Sequence, residues 1–257
     1  MKLVRYLALA VGDSAAGAAR LRQFTDLISH LDGIGTAYED AQFHLVTGAG
    51  HAVGLDGDGV VVGTLFPRDG TDAIRHLDRD GIDRTRASRG VYLTERCWGP
   101  YVAFIRNRES GGIDIVRSPL GALPCFLIEI EGGLVLTSDI ALPVACGLLS
   151  PAVDWEEVVR HLLVRDLARP ETCLAGVREL RGGLRLSLSS NGRSVEEIWS
   201  PWSLARHDCQ VEDRDAAAAM VRRAAGQCVD GYASGEAGLL LMLSGGLDSS
   251  ILAACLA

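Results

Sequence analysis

Lysine is all but missing from this 257-residue chain: Lys2 stands alone against 24 arginines. Any step that needs a buried ammonium group must therefore use Lys2 or recruit one from outside the chain. Cations are also in deficit, 25 Lys and Arg against 33 Asp and Glu, and the net charge of −8 excludes a broad basic face and a general nucleic-acid-binding role. No C-x-x-C pair occurs. The seven cysteines, at 97, 125, 146, 173, 209, 228 and 255, are odd in number and widely spaced, which excludes a disulfide framework or zinc site and predicts reduced, mostly buried thiols in a cytoplasmic protein. No uninterrupted apolar run approaches the ~18 residues of a membrane span. The opening run, residues 3–11, carries Arg5 and is closed by Asp13, too short for a signal peptide, and reads as a first strand.

What is present divides by periodicity. Leu21, Phe24, Leu27, Ile28 and Leu31 recur at helical spacing after Asp13-Ser14, and Gly33 and Gly35 end that helix. Strand-like segments follow at 42–47, 60–65, 90–94, 101–106, 113–117, 124–130 and 134–137, with turns at Asp56-Gly57-Asp58-Gly59, Ser110-Gly111-Gly112 and Glu131-Gly132-Gly133. The aspartate-rich turn lacks the length and closing glutamate of an EF-hand loop and reads as a hairpin turn. Dense short strands with one or two helices predict an α+β sandwich over residues 1–145.

Residues 146–210 read as a connection. Asp154 caps a helix running from 155 to about 168, with Val158, Val159, Leu162, Leu163 and Leu167 on one face and Arg169-Pro170 at its end. His161 has no companion at metal-ligand spacing. Two strands, 184–188 and 195–199, flank the turn Asn191-Gly192, and Trp199 and Trp202 are expected to pack in the core. Residues 211–257 open with a helix started by Asp213 or Asp215 and carrying Met220, Val221, Ala224, Ala225, Cys228 and Val229, with Arg222 and Arg223 solvated.

The richest chemistry follows. Residues 239–243, ending at Leu243, are five apolar positions, too few for a stable helix, and read as a buried parallel strand that turns at Ser244-Gly245-Gly246. A helix should start near Asp248. Two glycines permit the tight turn and let backbone N–H groups approach an anion, while Ser244, Ser249 and Ser250 add hydroxyls at the helix's positive end. Leu247 stands where G-x-x-x-x-G-K-[ST] requires lysine, so this is not the P-loop of kinases and GTPases. Asp248 is placed to hold a magnesium ion against phosphates.

The run Ser244-Gly245-Gly246-Leu247-Asp248-Ser249-Ser250 behind an apolar strand resembles the pyrophosphate (PP) loop of the ATP-pyrophosphatase superfamily, in the spelling of its asparagine-synthetase branch. That resemblance implies ATP and Mg²⁺ as cofactors, cleavage of ATP between its α and β phosphates, and adenylation. It implies Leu243, Ser244, Gly245, Gly246, Leu247, Asp248, Ser249 and Ser250 as the ATP- and pyrophosphate-binding residues, Asp248 also holding the metal. Only seven residues follow Ser250. Residues 211–257 are thus expected to be the start of an α/β PP-loop synthetase domain. Its catalytic residues would lie downstream of Ala257, and the 257-residue chain would be inactive alone.

A second resemblance lies upstream. Trp98-Gly99-Pro100-Tyr101-Val102-Ala103-Phe104, then Arg117-Ser118-Pro119-Leu120-Gly121-Ala122-Leu123-Pro124, then Leu134-Val135-Leu136-Thr137-Ser138-Asp139 are together similar to the amino-terminal half of asparagine synthetases. This implies a class II glutamine-amidotransferase-like αββα sandwich. Active members carry a cysteine directly after the initiator methionine, where its thiolate attacks the glutamine amide. Here that place is held by Lys2, and no cysteine lies within ninety residues of the start. The Asn-Gly substrate element is also missing, replaced around Gly63-Thr64-Leu65-Phe66-Pro67-Arg68-Asp69-Gly70. The implied domain is a scaffold that has lost glutamine hydrolysis.

Without glutamine-derived ammonia, the amine must be free ammonia or part of the substrate. The resemblance then favours a lasso peptide macrolactam synthetase, which joins a side-chain carboxylate of a precursor peptide to its N-terminus. Its implied partners are the precursor peptide and a leader-peptide protease. A β-lactam synthetase-like ligase, an ammonia-using asparagine synthetase and a non-catalytic binding or assembly module are the alternatives.

Overall fold

Two antiparallel six-stranded sheets dominate a computed structural model that describes residues 4–164, 169–190, 192–234 and 238–257. The strands are β1 (Tyr6–Val11), β2 (Ile34–Glu39), β3 (Phe43–Gly48), β4 (Ala52–Gly54), β5 (Gly59–Gly63), β6 (Phe66–Pro67), β7 (Cys97–Trp98), β8 (Tyr101–Asn107), β9 (Gly112–Arg117), β10 (Phe126–Ile130), β11 (Gly133–Thr137), β12 (Val177–Glu179), β13 (Leu184–Ser189) and β14 (Gly192–Glu197). The first sheet runs β12-β10-β11-β1-β3-β2 and the second β14-β13-β9-β8-β5-β4, while β6 and β7 pair apart from both. Strands β12 to β14, from the stretch read as a connection, thus complete both sheets. The helices are α1 (Ala15–Ile28), α2 (Arg79–Ala87), α3 (Val91–Arg96), α4 (Ala141–Ala145), α5 (Trp155–Leu163), α6 (Arg214–Ala233) and α7 (Leu247–Leu256).

Alternation along β1 sorts its side chains into two cores. Tyr6, Ala8 and Ala10 point between the sheets, where Phe43, Leu45, Val60, Val62, Phe104 and Ile115 meet them; Leu7 and Leu9 point outward onto Leu21, Phe24 and Ile28 of α1. On the far side of the second sheet, Val61, Ala103 and Ile105 cover Ile82 of α2 and Leu93 of α3. The layers are helix, sheet, sheet, helix, and each large apolar side chain so buried contributes roughly 1.5–3 kcal/mol. The expected α+β sandwich is therefore present. Helix α1 starts where Ser14 accepts a hydrogen bond from the Gly17 amide at 3.0 Å, as its capping residue should.

Several expectations are corrected. Residues 90–94, read as a strand, form the start of α3: Gly90 adopts φ +92°, the Ser88 hydroxyl accepts from the Tyr92 amide at 3.0 Å, and Leu93 is buried against the second sheet. Packing on that sheet overrides the β-propensity of Val91, Tyr92 and Thr94. Residues 239–243, read as a buried parallel strand, have no regular structure, and Leu240 is 95% exposed. A parallel strand needs a neighbour to pair with, and among the described residues none flanks this segment. Helix α5 is capped by Asp154, but Trp155, Val159, Leu162 and Leu163 are exposed and Glu157 is its buried residue; Leu167 lies outside the described residues. Three cysteines, 97, 125 and 146, are buried, while Cys209 and Cys228 are exposed.

Candidate functional site

The segment 244–250 forms a turn leading into α7. Gly245 takes φ +77°, a conformation that suits glycine, and Gly246 is the N-cap of α7 with no side-chain cap bond. A Cβ at Gly245 would meet nothing within 4 Å, so one side of the turn is open. The first turn of α7 therefore presents backbone N–H groups, the positive end of a helix, to open space. Asp248 lies in that first turn, is exposed, and has no ion-pair partner among the described residues.

The hydroxyls are differently arranged. Ser250 donates to the Gly246 carbonyl at 2.8 Å and Ser249 to the same oxygen at 3.2 Å; Ser244 and Ser249 share a hydrogen bond of 3.1 Å. They rigidify the turn by bonding back onto it. The Ser244 hydroxyl also accepts from the Gly246 amide at 3.3 Å, so an anion here would meet the amides of residues 247–249 first, and serine donors only after their side chains rotate. Leu247 is 75% exposed and Leu243 65% exposed, so neither helps enclose the turn. All eight sequence-derived positions thus lie in one contiguous stretch, but the strand meant to bury its base is not formed. Lys2 lies outside the described residues.

The motifs of the first half serve architecture. The Ser138 hydroxyl donates to the Val4 carbonyl and accepts from the Tyr6 amide, both at 3.0 Å, and Asp139 pairs with Arg5 at 2.7 Å, so Ser138 and Asp139 fasten the start of β1. Arg117, nearly buried, donates to the Leu123 carbonyl at 2.8 Å, to Glu179 at 2.7 Å, to the Leu180 carbonyl at 2.5 Å and to the Gly121 carbonyl, which holds the loop 118–124 against the end of β12. That loop presents Leu120, 84% exposed, between two clefts of about 1050 and 770 Å³. Pro119, Trp199 and Ser200 border both clefts, and neither includes the 244–250 turn. Trp202 is 78% exposed at the larger one, not in the core as expected, because β14 is an exposed edge strand and the chain leaves the sheet after it.

Two thiols of the sandwich, Cys97 and Cys125, are suppressed as nucleophiles. Burial pushes Cys97 up to about 11, and burial raises Cys125 to about 11 as well, against the smaller lowering by its hydrogen bond with Tyr6 and by Arg117. Among the described residues, no group of three or more His, Cys, Asp or Glu side chains could hold a metal, and the aspartate-rich turn is a hairpin turn whose Asp58 is held by Arg86 and Arg108. His161 is exposed. No helix among the described residues is long and apolar enough to cross a membrane.

Sequence reasoning missed one cluster. Phe66 stacks on Trp98 with ring centroids 4.2 Å apart and planes inclined by 21°, and Tyr232 of α6 stands edge-on to both rings, at 5.9 and 5.6 Å. Gly231 breaks the helical pattern there, but so does Gly226, where a Cβ would meet nothing within 4 Å, so the sequence carried no signal that singled the cluster out.

Comparison with known proteins adds the following. No protein-family model matches the chain, and no curated protein matches it. Among solved structures it is similar to a glutamine phosphoribosylpyrophosphate (PRPP) amidotransferase from B. subtilis complexed with ADP and GMP, at 9% identity and a TM-score of 0.40, and to an allosteric regulatory enzyme of purine biosynthesis, at 8% identity and a TM-score of 0.43. Each match covers 76% of this chain and 49% of the other, so the chain spans about half the length of those structures.

Proposed function

We propose that this chain carries the nucleotide-binding turn of an ATP-dependent, AMP-forming carbon–nitrogen ligase. The enzyme would adenylate a carboxylate and close a ring with an amine of the same substrate, as a lasso peptide macrolactam cyclase does. The observation that carries the reading is the turn Ser244-Gly245-Gly246 opening directly into α7, with uncapped amide donors and Asp248 in the first helical turn. The residues fit the cofactors: free N–H groups suit phosphate oxygens, an unpaired carboxylate suits Mg²⁺, and the turn has room for a ligand. ATP bound there supplies a better leaving group for the acid.

The amides at the start of α7 would bind the phosphates, and Asp248 would orient the metal beside them. The four-layer unit, whose buried Cys97 and Cys125 thiols have raised pKa values, acts as a scaffold rather than an ammonia source in this reading. A precursor peptide as substrate and a leader-peptide protease as partner belong to this reading, with residues 1–145 and the strands β12 to β14 of 146–210 as the scaffold and 211–257 as the synthetase segment.

The test is ATP–pyrophosphate exchange by the full-length protein offered candidate carboxylates, including a leaderless precursor peptide. Exchange that requires the acid, and is abolished in Asp248→Ala, supports the reading. No exchange with any candidate acid rejects it.

A further inference from the structure

We propose that Gly231, Tyr232 and Trp98 are positioning residues for the 244–250 turn, setting its place relative to the four-layer unit through α6. The inference rests on the phosphate-binding reading of that turn. Helix α6 meets the sandwich along one narrow line. Gly231 is its buried residue, and Tyr232 closes the Phe66–Trp98 stack edge-on. Beside them, Gln227 Nε2 donates to the Arg68 carbonyl at 2.7 Å and the Gly70 carbonyl at 3.2 Å, and Trp98 Nε1 donates to the Pro67 carbonyl at 3.0 Å. Two points four to five residues apart on one face of α6, the Gln227 amide bonds and the Gly231–Tyr232 packing, fix both the height and the rotation of α6.

Helix α7 packs on α6, so whatever sets α6 also sets the amides at the start of α7. The contact at Gly231 has no slack: a Cβ there would lie 2.7 Å from Trp98 Cη2 and 3.0 Å from Cζ2. Trp98 cannot easily retreat, because Phe66 stacks on its face and its indole N–H is bonded. A methyl at 231 must therefore move α6.

Two alanine substitutions in α6 of the full chain make the test, since a Cβ at Gly226 would meet nothing within 4 Å and both changes raise helix propensity equally. Affinity for inorganic pyrophosphate with Mg²⁺ is read by calorimetry, and the Trp98 environment by tryptophan emission. Gly226→Ala is expected to match the parent chain in both. Gly231→Ala is expected to shift the emission and to weaken binding by roughly tenfold, the consequence of displacing donors by a fraction of an ångström to ~1 Å. Adding Trp98→Phe to Gly231→Ala keeps an aromatic ring against Phe66 and Tyr232 but removes the Cη2 and Cζ2 atoms that the methyl would meet, and is expected to recover most of that affinity. If Gly231→Ala fails to fold, Tyr232→Ala replaces it with the same expected direction. Unchanged affinity in the clashing variant, or an emission that does not move, overturns the inference and leaves the phosphate reading intact. A parent chain that binds no pyrophosphate overturns both.

Discussion

Arg117 Nη1 lies 2.7 Å from Glu179 Oε1, and this ion pair ties β9 of one sheet to β12 of the other. The remaining donors of the same guanidinium go to backbone carbonyls of the loop 118–124 and of Leu180, a set that only a planar fork of five N–H groups can satisfy. Arg117→Ala would strand several buried carbonyls and an uncompensated carboxylate. We expect a loss of about 3 kcal/mol, with little rescue by Arg117→Lys, read from urea unfolding. A loss under about 1 kcal/mol would show that the loop holds itself.

His44 offers a pH test. Its ring is buried between Thr25 and Thr36, hydrogen-bonded to each at 3.1 and 3.0 Å, and burial lowers its pKa below the ordinary value, with Glu39 opposing more weakly. In the unfolded chain it titrates near ~6.5. Below that pH the unfolded state binds the proton more readily, so the contribution of neutral His44 is complete above ~6.5 and is lost as pH falls toward the lowered folded value. Urea midpoints should therefore fall more steeply between pH 7.5 and 5 in the parent chain than in His44→Gln. Parallel curves would contradict this.

Tyr101 points the other way. Its hydroxyl is buried with no hydrogen-bond partner among the described residues, so it carries a desolvation cost and no compensating bond. Tyr101→Phe is expected to raise stability by about 1 kcal/mol in thermal unfolding. A clear destabilisation would reveal a partner for the hydroxyl.

The thiols can be ranked. Cys97 and Cys125 are buried with raised pKa values, and Cys146 is buried and raised by the same cause; Cys228 is exposed but its thiol is also raised by burial, and Cys209 is exposed. Alkylation at pH 8 followed by mass mapping should label 209 first, 228 more slowly, and 97, 125 and 146 only after denaturation. Early labelling of Cys97 or Cys125 would show that the sandwich opens there.

How far the sequence carried these conclusions follows from how local each signal is. Alternation and turn residues found β1, β3, β5, β8, β9, β10, β11 and the β13–β14 hairpin because period-two burial is written into the residues themselves. The α1 and α6 caps at Ser14 and Asp213 were legible for the same reason. Strand β12 and helices α2 and α4 were not, being too short or too polar to show a period. The 90–94 segment misled because Val, Tyr and Thr favour strands until Gly90 turns the chain and Leu93 finds a sheet to cover. At the candidate site the Gly-Gly turn and α7 followed from local chemistry. The apolar run before them did not become a strand, because pairing is non-local. The Phe66–Trp98–Tyr232 cluster joins residues more than 130 positions apart, which no pattern within one window can show.

Amide hydrogen exchange of the 244–250 segment, with and without ATP and Mg²⁺, reads nucleotide binding at the turn itself. Nucleotide with metal is expected to slow exchange at the Gly245 to Ser249 amides, and Asp248→Asn to lose the metal-dependent part of that protection. Ser250→Ala should change it little, since that hydroxyl is engaged with Gly246. Exchange at these amides that ignores nucleotide and metal would mean that the turn binds no phosphate.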